Sequence, residues 1–393
     1  MKKKRNLKYW IGRIHLWLGL TSGLVVFIVS LTGCLFCFHD EIEDITKPHR
    51  HVEARNQPYL PPSVLKENAQ KAVPDGKISF LSYVGKDRPA LAYTTNSTST
   101  YYVYLDPYTG KHLKTEDLKT DFFIIVEYIH LYLLLPAEIG RQIVGISTIV
   151  FVVMLISGII LWWPKRKSDH KRSFKIKWNS KWRRVNYDLH NVLGFYAASI
   201  ALVLALTGLA IDYEWMRKTF TYTANLGAQY PDEDKHPVID TINHKPINRP
   251  VIDVAMAQTF KLSPASEMYF VTFPEKTSES FETGAYAKSL VYHQQNNYHF
   301  DPVSAQLLKS QPYKSKSVGM KLNEMNYAIH TGQILGLFGK IIAFIASLIA
   351  TSLPVTGFIV WLGRRKKKSK AETGVKLVTT RRSRFNNVKL AGE

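Results

Sequence analysis

Four of the thirteen histidines in this chain stand apart from the others, because each lies at the start of a long apolar run. They are His15, His130, His190 and His330. His15 recurs as His190 after 175 residues, and His130 recurs as His330 after 200 residues. Neutral imidazole can ligate iron without placing a charge in a low-dielectric environment. Two imidazoles at one level form an axial haem site, so the four histidines predict two such sites.

The elements that would position these histidines are four apolar segments, each long enough to cross a bilayer. A span needs about 20 residues at a rise of about 1.5 Å per residue. Of the 393 residues, 46% are hydrophobic and 12% aromatic, and the apolar residues are concentrated in a few runs. We place the spans at Trp10 to Phe38, Ile139 to Trp163, Val192 to Ile211 and Gly339 to Trp361. The fold class is therefore a helical, multi-pass membrane protein.

The charged residues predict how the spans are oriented. The combined net charge is +23 in residues 1–14, 164–189 and 363–393, whereas each of the loops 39–121 and 212–325 has a net charge of −1. By the positive-inside rule, both termini and the short central loop are cytoplasmic and the long loops lie outside. The net charge of +21 is then explained by basic residues of the cytoplasmic segments, which lie near anionic lipid and set the topology. No nucleic-acid partner is expected.

Repeated residues indicate an internal duplication that covers more than the histidines. Gly19, Thr32 and Gly33 recur as Gly194, Thr207 and Gly208, and Gly140, Gly158 and Trp162 recur as Gly339, Gly357 and Trp361. Each long loop begins with a helix-like stretch, continues with alternating apolar and polar runs, and ends in an Asp-Pro turn. We therefore expect two copies of a unit made of a helix, a small α+β outside domain and a second helix.

The expected organisation follows from these boundaries. His130 precedes Trp163 by 33 residues, about 50 Å of helix, so a break near Pro136 is expected, with a short helix before it. The segments are the N-terminus with span one (1–38), the first outside domain (39–121), the short helix with span two (122–163), the basic cytoplasmic loop (164–189), span three (190–211), the second outside domain (212–325), span four (326–362) and the basic tail (363–393). This topology places His15 and His190 near the cytoplasmic face, and His130 and His330 near the outer face.

Other ligand sets fit less well. His39 is a rival ligand on the outer side, but its repeat counterpart is Glu214. Cys34 and Cys37 miss the covalent haem-attachment pattern by one residue before His39, so we expect haem b and buried thiols. A zinc site is disfavoured, because each level has two histidines and no helical zinc motif. No dinucleotide, Walker or flavin motif and no hydrolase triad is evident, so no catalytic residue is assigned and electrons must come from another molecule.

The chain resembles the PepSY-associated transmembrane family, iron-regulated inner-membrane proteins that include siderophore reductases, over residues from about 8 to 365. The motifs that carry the resemblance are Ile14-His15-Leu16-Trp17-Leu18-Gly19-Leu20, Leu31-Thr32-Gly33, Tyr128-Ile129-His130, Ser157-Gly158-Ile159-Ile160-Leu161-Trp162-Trp163-Pro164 and Asp106-Pro107-Tyr108-Thr109-Gly110. The second Asp-Pro sequence departs from the pattern, with Ser304-Ala305 in place of Thr-Gly.

This resemblance implies PepSY-like outside domains and a haem-containing electron carrier of the bacterial inner membrane that reduces ferric chelates, such as ferric siderophores, during iron uptake. Two haem b groups would be bound, one by His15 and His190 on the cytoplasmic side and one by His130 and His330 on the outer side. The electron donor would be a quinol or a cytoplasmic reductase.

Two other functions stay open at this point. The first is a haem-free module whose outside domains capture a peptide or regulate a protease, in which case the four histidines would be dispensable. The second is a permease for the chelate itself, which is disfavoured because the spans have no charged residues away from their ends. The substrate, the electron donor, the number of haems and the oligomeric state are not determined by the sequence.

Overall fold

The computed structural model of the chain describes residues 6–164, 166–233, 235–239, 245–273, 276 and 278–389, with side chains up to residue 365 except that of residue 169. Two runs of four strands lie between groups of helices along these residues. The helices are α1 (Leu7–Phe36), α2 (His39–Thr46), α3 (Pro62–Ala72), α4 (Phe122–Tyr132), α5 (Ala137–Trp162), α6 (His170–Ser173), α7 (Trp182–Asp188), α8 (Gly194–Asp212), α9 (Glu214–Ala224), α10 (Val251–Leu262), α11 (Val318–His330) and α12 (Gly336–Lys389). The strands are β1 (Lys77–Tyr83), β2 (Ala90–Thr95), β3 (Thr100–Leu105), β4 (His112–Asp117), β5 (Met268–Thr272), β6 (Phe281–Lys288), β7 (Val291–Phe300) and β8 (Leu307–Gln311).

Four helical stretches are long and apolar enough to cross a membrane, in agreement with the sequence. They are Leu7–Phe36, Ala137–Trp162, Trp182–Asp212 and Gln333–Arg365, with mean hydropathies of 2.1 to 2.7. The third begins earlier than expected, because a π-helical turn, Leu189–Leu193, joins α7 directly to α8. The chain is thus a helical membrane protein with four candidate spans.

The helix is interrupted between α4 and α5. The sequence predicted this interruption, because a continuous helix from His130 to Trp163 would be longer than one bilayer. Leu133 and Leu134 both adopt the left-handed conformation, with φ of 58° and 57°. Pro136 follows and begins the next helix by accepting hydrogen bonds from the amides of Ile139 and Gly140. His130 therefore lies on a short helix of its own, outside the spanning helix α5.

The eight strands form one antiparallel sheet in the order β4-β3-β2-β1-β5-β6-β7-β8. The two long loops contribute four strands each, and the halves meet where β1 pairs with β5, with Leu81 opposite Val271. The sequence predicted one small α+β domain in each loop, and in the structure the strands of both loops belong to a single sheet. Each half alone would leave an open strand edge, and edge strands tend to be paired or covered.

The two faces of the sheet have different roles. Side chains alternate along a strand, so Leu81 and Val103 on one face join a buried core with Leu65 of α3 and Met256 of α10. The opposite face carries aromatic and polar side chains. We refer to the sheet with α3 and α10 as the sheet domain.

Both Asp-Pro sequences form the same turn. The Asp106 carboxylate accepts hydrogen bonds from the amides of Tyr108 and Thr109, and Asp301 accepts them from the amides of Val303 and Ser304. Gly110 and Ala305 close the two turns with φ of 73° and 56°. The Asp side chain therefore specifies the turn even where alanine replaces the glycine.

The chain divides into two compact units. Residues 1–31, 146–202 and 345–393 form the first, and residues 32–145 and 203–344 form the second. The divisions fall inside α1, α5, α8 and α12, so residues of each of these helices belong to both units. His15 and His190 belong to the first unit, and His130 and His330 to the second.

Candidate functional site

His130 and His330 face each other near the ends of two short helices. His330 is the last residue of α11, and His130 lies two residues before the end of α4. Their ring centroids are 6.1 Å apart, with an angle of 64° between the ring planes. Two imidazoles on one metal ion have centroids about 6 Å apart, since each metal–nitrogen bond is about 2 Å long. The spacing of this pair therefore fits a shared metal centre.

The pair offers only two protein ligands. In the part of the chain that the structure describes, no group of three or more His, Cys, Asp or Glu side chains is arranged to hold a metal ion. A metal bound here would need its other ligands from outside the protein. A planar porphyrin supplies four nitrogens and leaves two axial positions for imidazoles, so this donor set fits haem.

The four histidines share one hydrogen-bond pattern, in which Nδ1 of each ring contacts a hydroxyl group on another helix. The pairs are His15 with Ser157 at 2.9 Å, His130 with Thr32 at 3.2 Å, His190 with Thr356 at 3.0 Å and His330 with Thr207 at 3.2 Å. Each hydroxyl residue directly precedes a glycine in the sequence. Thr32 and Thr207 form a repeated pair in the sequence, whereas no repeat singled out Thr356.

The hydroxyl groups also determine which nitrogen of the ring carries the proton. Thr207 donates its proton to Val203 O at 2.7 Å, and Thr356 donates to Ser352 O at 2.9 Å. A hydroxyl that donates in this way accepts the Nδ1–H of the imidazole. The hydrogen bond of His330 has the same direction, with Nδ1–H as the donor. Leu204 O lies 2.8 Å from its Nδ1, and a carbonyl oxygen can only accept.

This tautomer is the one that a metal ligand needs. A neutral imidazole with its proton on Nδ1 has its lone pair on Nε2. Ligating histidines in proteins ordinarily hold their other ring nitrogen in a hydrogen bond of this kind, which fixes the ring orientation. The rings of His190 and His330 are therefore set to ligate through Nε2.

The glycine after each hydroxyl residue makes room for the imidazole. A Cβ placed on the glycine would lie 3.5 Å from Cε1 of His15 at Gly158, 3.3 Å from that of His130 at Gly33, 3.1 Å from that of His190 at Gly357 and 3.0 Å from that of His330 at Gly208. Three of these contacts are tighter than ordinary van der Waals packing. These glycines therefore pack against the histidine rings.

His15 and His190 belong to one compact unit. His190 lies in the π-helical turn Leu189–Leu193. A π-helical turn shifts the register of the side chains that follow it, and such turns are frequent at functional sites. The second pair of histidines thus also has a local backbone feature that sets the direction of one ring.

The rival ligand His39 is engaged differently. Its Nδ1 lies 2.9 Å from Phe36 O, its Nε2 lies 3.4 Å from the Asp40 carboxylate, and its ring stacks on Phe36 at 4.0 Å. Cys34 and Cys37 are buried free thiols. These three side chains do not share the hydroxyl and glycine pattern of the four histidines.

A cavity of about 640 Å³ opens on the second face of the sheet, and no sequence pattern indicated it. Glu127 and Tyr327 line it, and each lies three residues before a histidine of the pair, His130 or His330. Residues three apart are neighbours on one face of a helix. The cavity is therefore one helical turn from both imidazoles, within the same compact unit.

Ion pairs cross one wall of this cavity. Lys47 lies 2.8 Å from Glu43, 3.1 Å from Glu116 and 2.6 Å from Asp121. Arg50 contacts Asp40, Glu43 and Asp44 at 3.2, 2.6 and 2.8 Å, and Arg88 contacts Asp44 at 2.5 Å. Each of the three cations is thus already bonded to at least one carboxylate.

The pKa values of the cavity groups follow from burial and from these pairs. Burial opposes ionisation of Asp44, but hydrogen bonds from Arg88 and Arg50 outweigh it and lower the pKa of Asp44 to about 2. Burial raises the pKa of Glu127 and also raises the pKa values of the Tyr102 and Tyr327 phenols. These tyrosines are therefore neutral at physiological pH and do not offer phenolate ligands.

A search of curated proteins finds no match to this chain. A comparison with protein families matches residues 12–364 to the family described as PepSY-associated TM region. The match covers both histidine pairs and all four candidate spans. The chain therefore belongs to the PepSY-associated transmembrane family, as its motifs suggested.

Proposed function

We propose that this protein is a haem-containing electron-transfer protein of the bacterial inner membrane, which reduces a ferric chelate, such as a ferric siderophore, on the periplasmic side. The electron would come from a quinol or a cytoplasmic reductase. The observation that carries the proposal is the pair His130 and His330, whose rings are spaced for one metal and hydrogen-bonded through Nδ1. Haem iron, when bound, supplies reversible one-electron redox chemistry.

The chain's own residues would hold and orient two such groups. His15 and His190 are the ligands of one, and His130 and His330 are those of the other. The hydroxyls of Ser157, Thr32, Thr356 and Thr207 keep the proton on Nδ1, and the glycines beside them let each ring lie against a neighbouring helix. Because the imidazoles are neutral, the ligands add no buried charge.

The charge distribution supports the direction of transfer. The basic segments lie at the ends of the spans near His15 and His190, so the positive-inside rule assigns this pair to the cytoplasmic side. The pair His130 and His330 would then be periplasmic, beside the cavity. A ferric chelate that gains one electron there holds its iron less tightly, since hard oxygen donors bind Fe(II) more weakly than Fe(III).

The test is the absorption spectrum and the haem-to-protein ratio of the purified full-length protein. We expect a Soret band and two haems per chain. The double variant His130→Ala/His330→Ala should retain one haem, and His15→Ala/His190→Ala should retain the other. Dithionite-reduced wild-type protein should be reoxidised by an added ferric chelate.

The matched control is His51→Ala/His112→Ala, which removes two exposed histidines of the sheet domain and its flank. This control should bind two haems. A protein without a Soret band would contradict the proposal and favour the haem-free binding module. A ratio of two haems per chain that persists in both double variants would contradict the assignment of the ligands.

A further inference from the structure

We propose that Asn326 is a further haem-binding residue, whose carboxamide holds a propionic acid group of the haem ligated by His130 and His330. This inference rests on the proposed function, because it concerns the same cofactor. It adds a contact at the edge of the macrocycle, away from the iron. The propionic acid group is held in its neutral, protonated form.

Asn326 is a buried amide whose two polar atoms are both unpaired. The side chain is 2% exposed, and neither Oδ1 nor Nδ2 has a hydrogen-bond partner among the described residues. An unpaired buried polar group is costly, and most such groups in native proteins are hydrogen-bonded. A carboxamide that is left open at both ends therefore indicates a place where the protein binds another molecule.

The buried carboxamides of this chain lie beside the candidate haem ligands. The described residues include three buried Asn or Gln side chains, Asn186, Asn326 and Gln333. Asn186 lies four residues before His190, and Asn326 lies four residues before His330. Gln333 follows His330 by three residues. Each of the three has at least one polar atom without a partner, so both histidine pairs have an unpaired amide about one helical turn from one of their rings.

Asn186 shows how closely such an amide is associated with a ligand. Its Nδ2 donates a hydrogen bond to Thr356 O at 3.0 Å. The hydroxyl of the same threonine lies 3.0 Å from Nδ1 of His190. The amide and the imidazole thus contact one residue of α12, and Oδ1 of Asn186 stays unpaired.

Asn326 lies on the face of α11 that carries His330. Residues spaced by four and by seven share one face of a helix, and Gly319, Asn326 and His330 follow this spacing. Gly319 packs on α9, where a Cβ would lie 2.5 Å from Thr221 O, and His330 contacts Thr207 of α8 at 3.2 Å. A porphyrin is wider than the about 5.4 Å of one helical turn, so a macrocycle on His330 is wide enough to reach Asn326.

A carboxamide with both ends open matches a protonated carboxyl group. Its Nδ2–H donates to the carbonyl oxygen of the acid, and its Oδ1 accepts the O–H, so two hydrogen bonds pair all of these groups. Burial disfavours the charged form of a carboxyl group, which keeps the acid protonated where no cation pairs with it. The propionic acid side chains are the only hydrogen-bonding groups on the periphery of haem b.

The test compares two forms of the cofactor, iron protoporphyrin IX and its dimethyl ester. The ester keeps the carbonyl oxygens but has no O–H to donate. Both are titrated into the cofactor-free, full-length variant His15→Ala/His190→Ala, in which only the pair His130 and His330 remains, and the Soret band measures binding. We expect the ester to bind at least about tenfold more weakly, because Oδ1 of the buried amide is left unpaired.

Asn326→Leu, added to the same protein, keeps the size of the side chain and removes both polar atoms. It should weaken binding of the free acid by about tenfold and reduce the difference between acid and ester to within about threefold. The melting temperature of the cofactor-free protein should not fall, because no hydrogen bond within the protein is lost. A merely structural role of the amide would not change the preference between the two cofactors.

The matched control is Asn68→Leu in α3, a carboxamide that is already paired. Its Nδ2 donates to Gly110 O at 3.0 Å. This variant should lower the melting temperature, since it breaks a hydrogen bond of the protein. It should keep the preference for the free acid.

Three outcomes would overturn the contact at Asn326. They are equal binding of acid and ester when Asn326 is present, a preference for the acid that persists in Asn326→Leu, and a lower melting temperature of cofactor-free Asn326→Leu. Each of them can occur in a protein that binds haem. Absence of a Soret band with either cofactor would instead overturn the proposed function, and this inference with it.

Discussion

The contact of Nδ1 with a hydroxyl group on another helix is what the four candidate ligands share and His39 lacks. His15 illustrates it, because the contact with Ser157 at 2.9 Å joins it to another helix. Ser157 in turn donates to Met154 O at 3.2 Å. The serine can therefore accept the proton of the imidazole, and the lone pair is left on Nε2.

At the residue scale, Ser157→Ala should release this constraint. We expect His15 to change from the Nδ1–H tautomer to a mixture, because the hydroxyl acceptor is lost. The ring ¹⁵N shifts of the cofactor-free protein report this directly. In the haem-loaded protein, the affinity at the pair His15 and His190 should fall about tenfold or more, the usual cost of removing such a supporting group.

The control for this change is Ser22→Ala. Ser22 is as buried as Ser157, and its hydroxyl donates to Leu18 O at 2.8 Å within its own helix. This variant should leave the tautomer of His15 and the haem affinity unchanged. An unaltered tautomer in Ser157→Ala would show that the hydroxyl does not orient the ring.

At the scale of elements, each histidine is placed by a contact between two helices. A glycine on one helix allows the ring from the other to approach, and the tightest approach is at Gly208, where a Cβ would lie 3.0 Å from His330. Breaks in the helices set the depth of the rings. The break after α4 separates His130 from α5, and a π-helical turn holds His190.

Gly208→Ala and Gly357→Ala should each displace one ring. The added methyl group would press on Cε1 of His330 or His190, and overpacking of this kind costs about 1 to 3 kcal/mol. We expect each variant to bind one haem more weakly or to lose it, so that the haem-to-protein ratio falls below two. The melting temperature should also be lower.

The control for both is Gly23→Ala in α1, where the new Cβ would lie 3.5 Å from Pro354, an ordinary contact. Alanine also favours the helix by about 1 kcal/mol over glycine. Gly23→Ala should therefore bind two haems and melt no lower than the wild type. Equal behaviour of all three variants would mean that the glycines serve only the packing of the helices.

At the scale of the whole molecule, the two long loops act as one domain because β1 and β5 join their strands into a single sheet. Leu81 lies opposite Val271 at this junction, and both side chains are fully buried. The core under the sheet draws on α3 from the first loop and α10 from the second. We therefore expect both halves to unfold together.

The variant Leu81→Ala tests this cooperativity. Replacing a fully buried leucine with alanine lowers the free energy of unfolding by about 2 to 5 kcal/mol. Amide hydrogen exchange should therefore become faster in strands of both halves, such as β2 and β7. Ile45→Ala, at a residue of α2 that is 84% exposed, should leave the exchange rates of both halves unchanged. Loss of protection in the first half alone would show two independent domains.

The sequence by itself determined the features that depend on composition and local pattern. Long apolar runs predicted the four candidate spans, the excess length after His130 predicted a break near Pro136, and repeated motifs indicated the family. The helix-like stretch that was predicted at the start of each long loop is present as α3 and α10. These features follow from hydrophobicity, chain length and turn chemistry, which neighbouring residues specify.

Only the tertiary structure decided how distant segments meet. The pairing of β1 with β5 joins residues almost 190 positions apart, and neither strand has a sequence pattern that specifies the other as its partner. The hydroxyl partners Thr32 and Thr356 look like ordinary small polar residues of a helix until they are seen beside His130 and His190. The cavity likewise arises because strand alternation directs aromatic side chains from both loops to one face, which becomes a single wall only after the halves have joined.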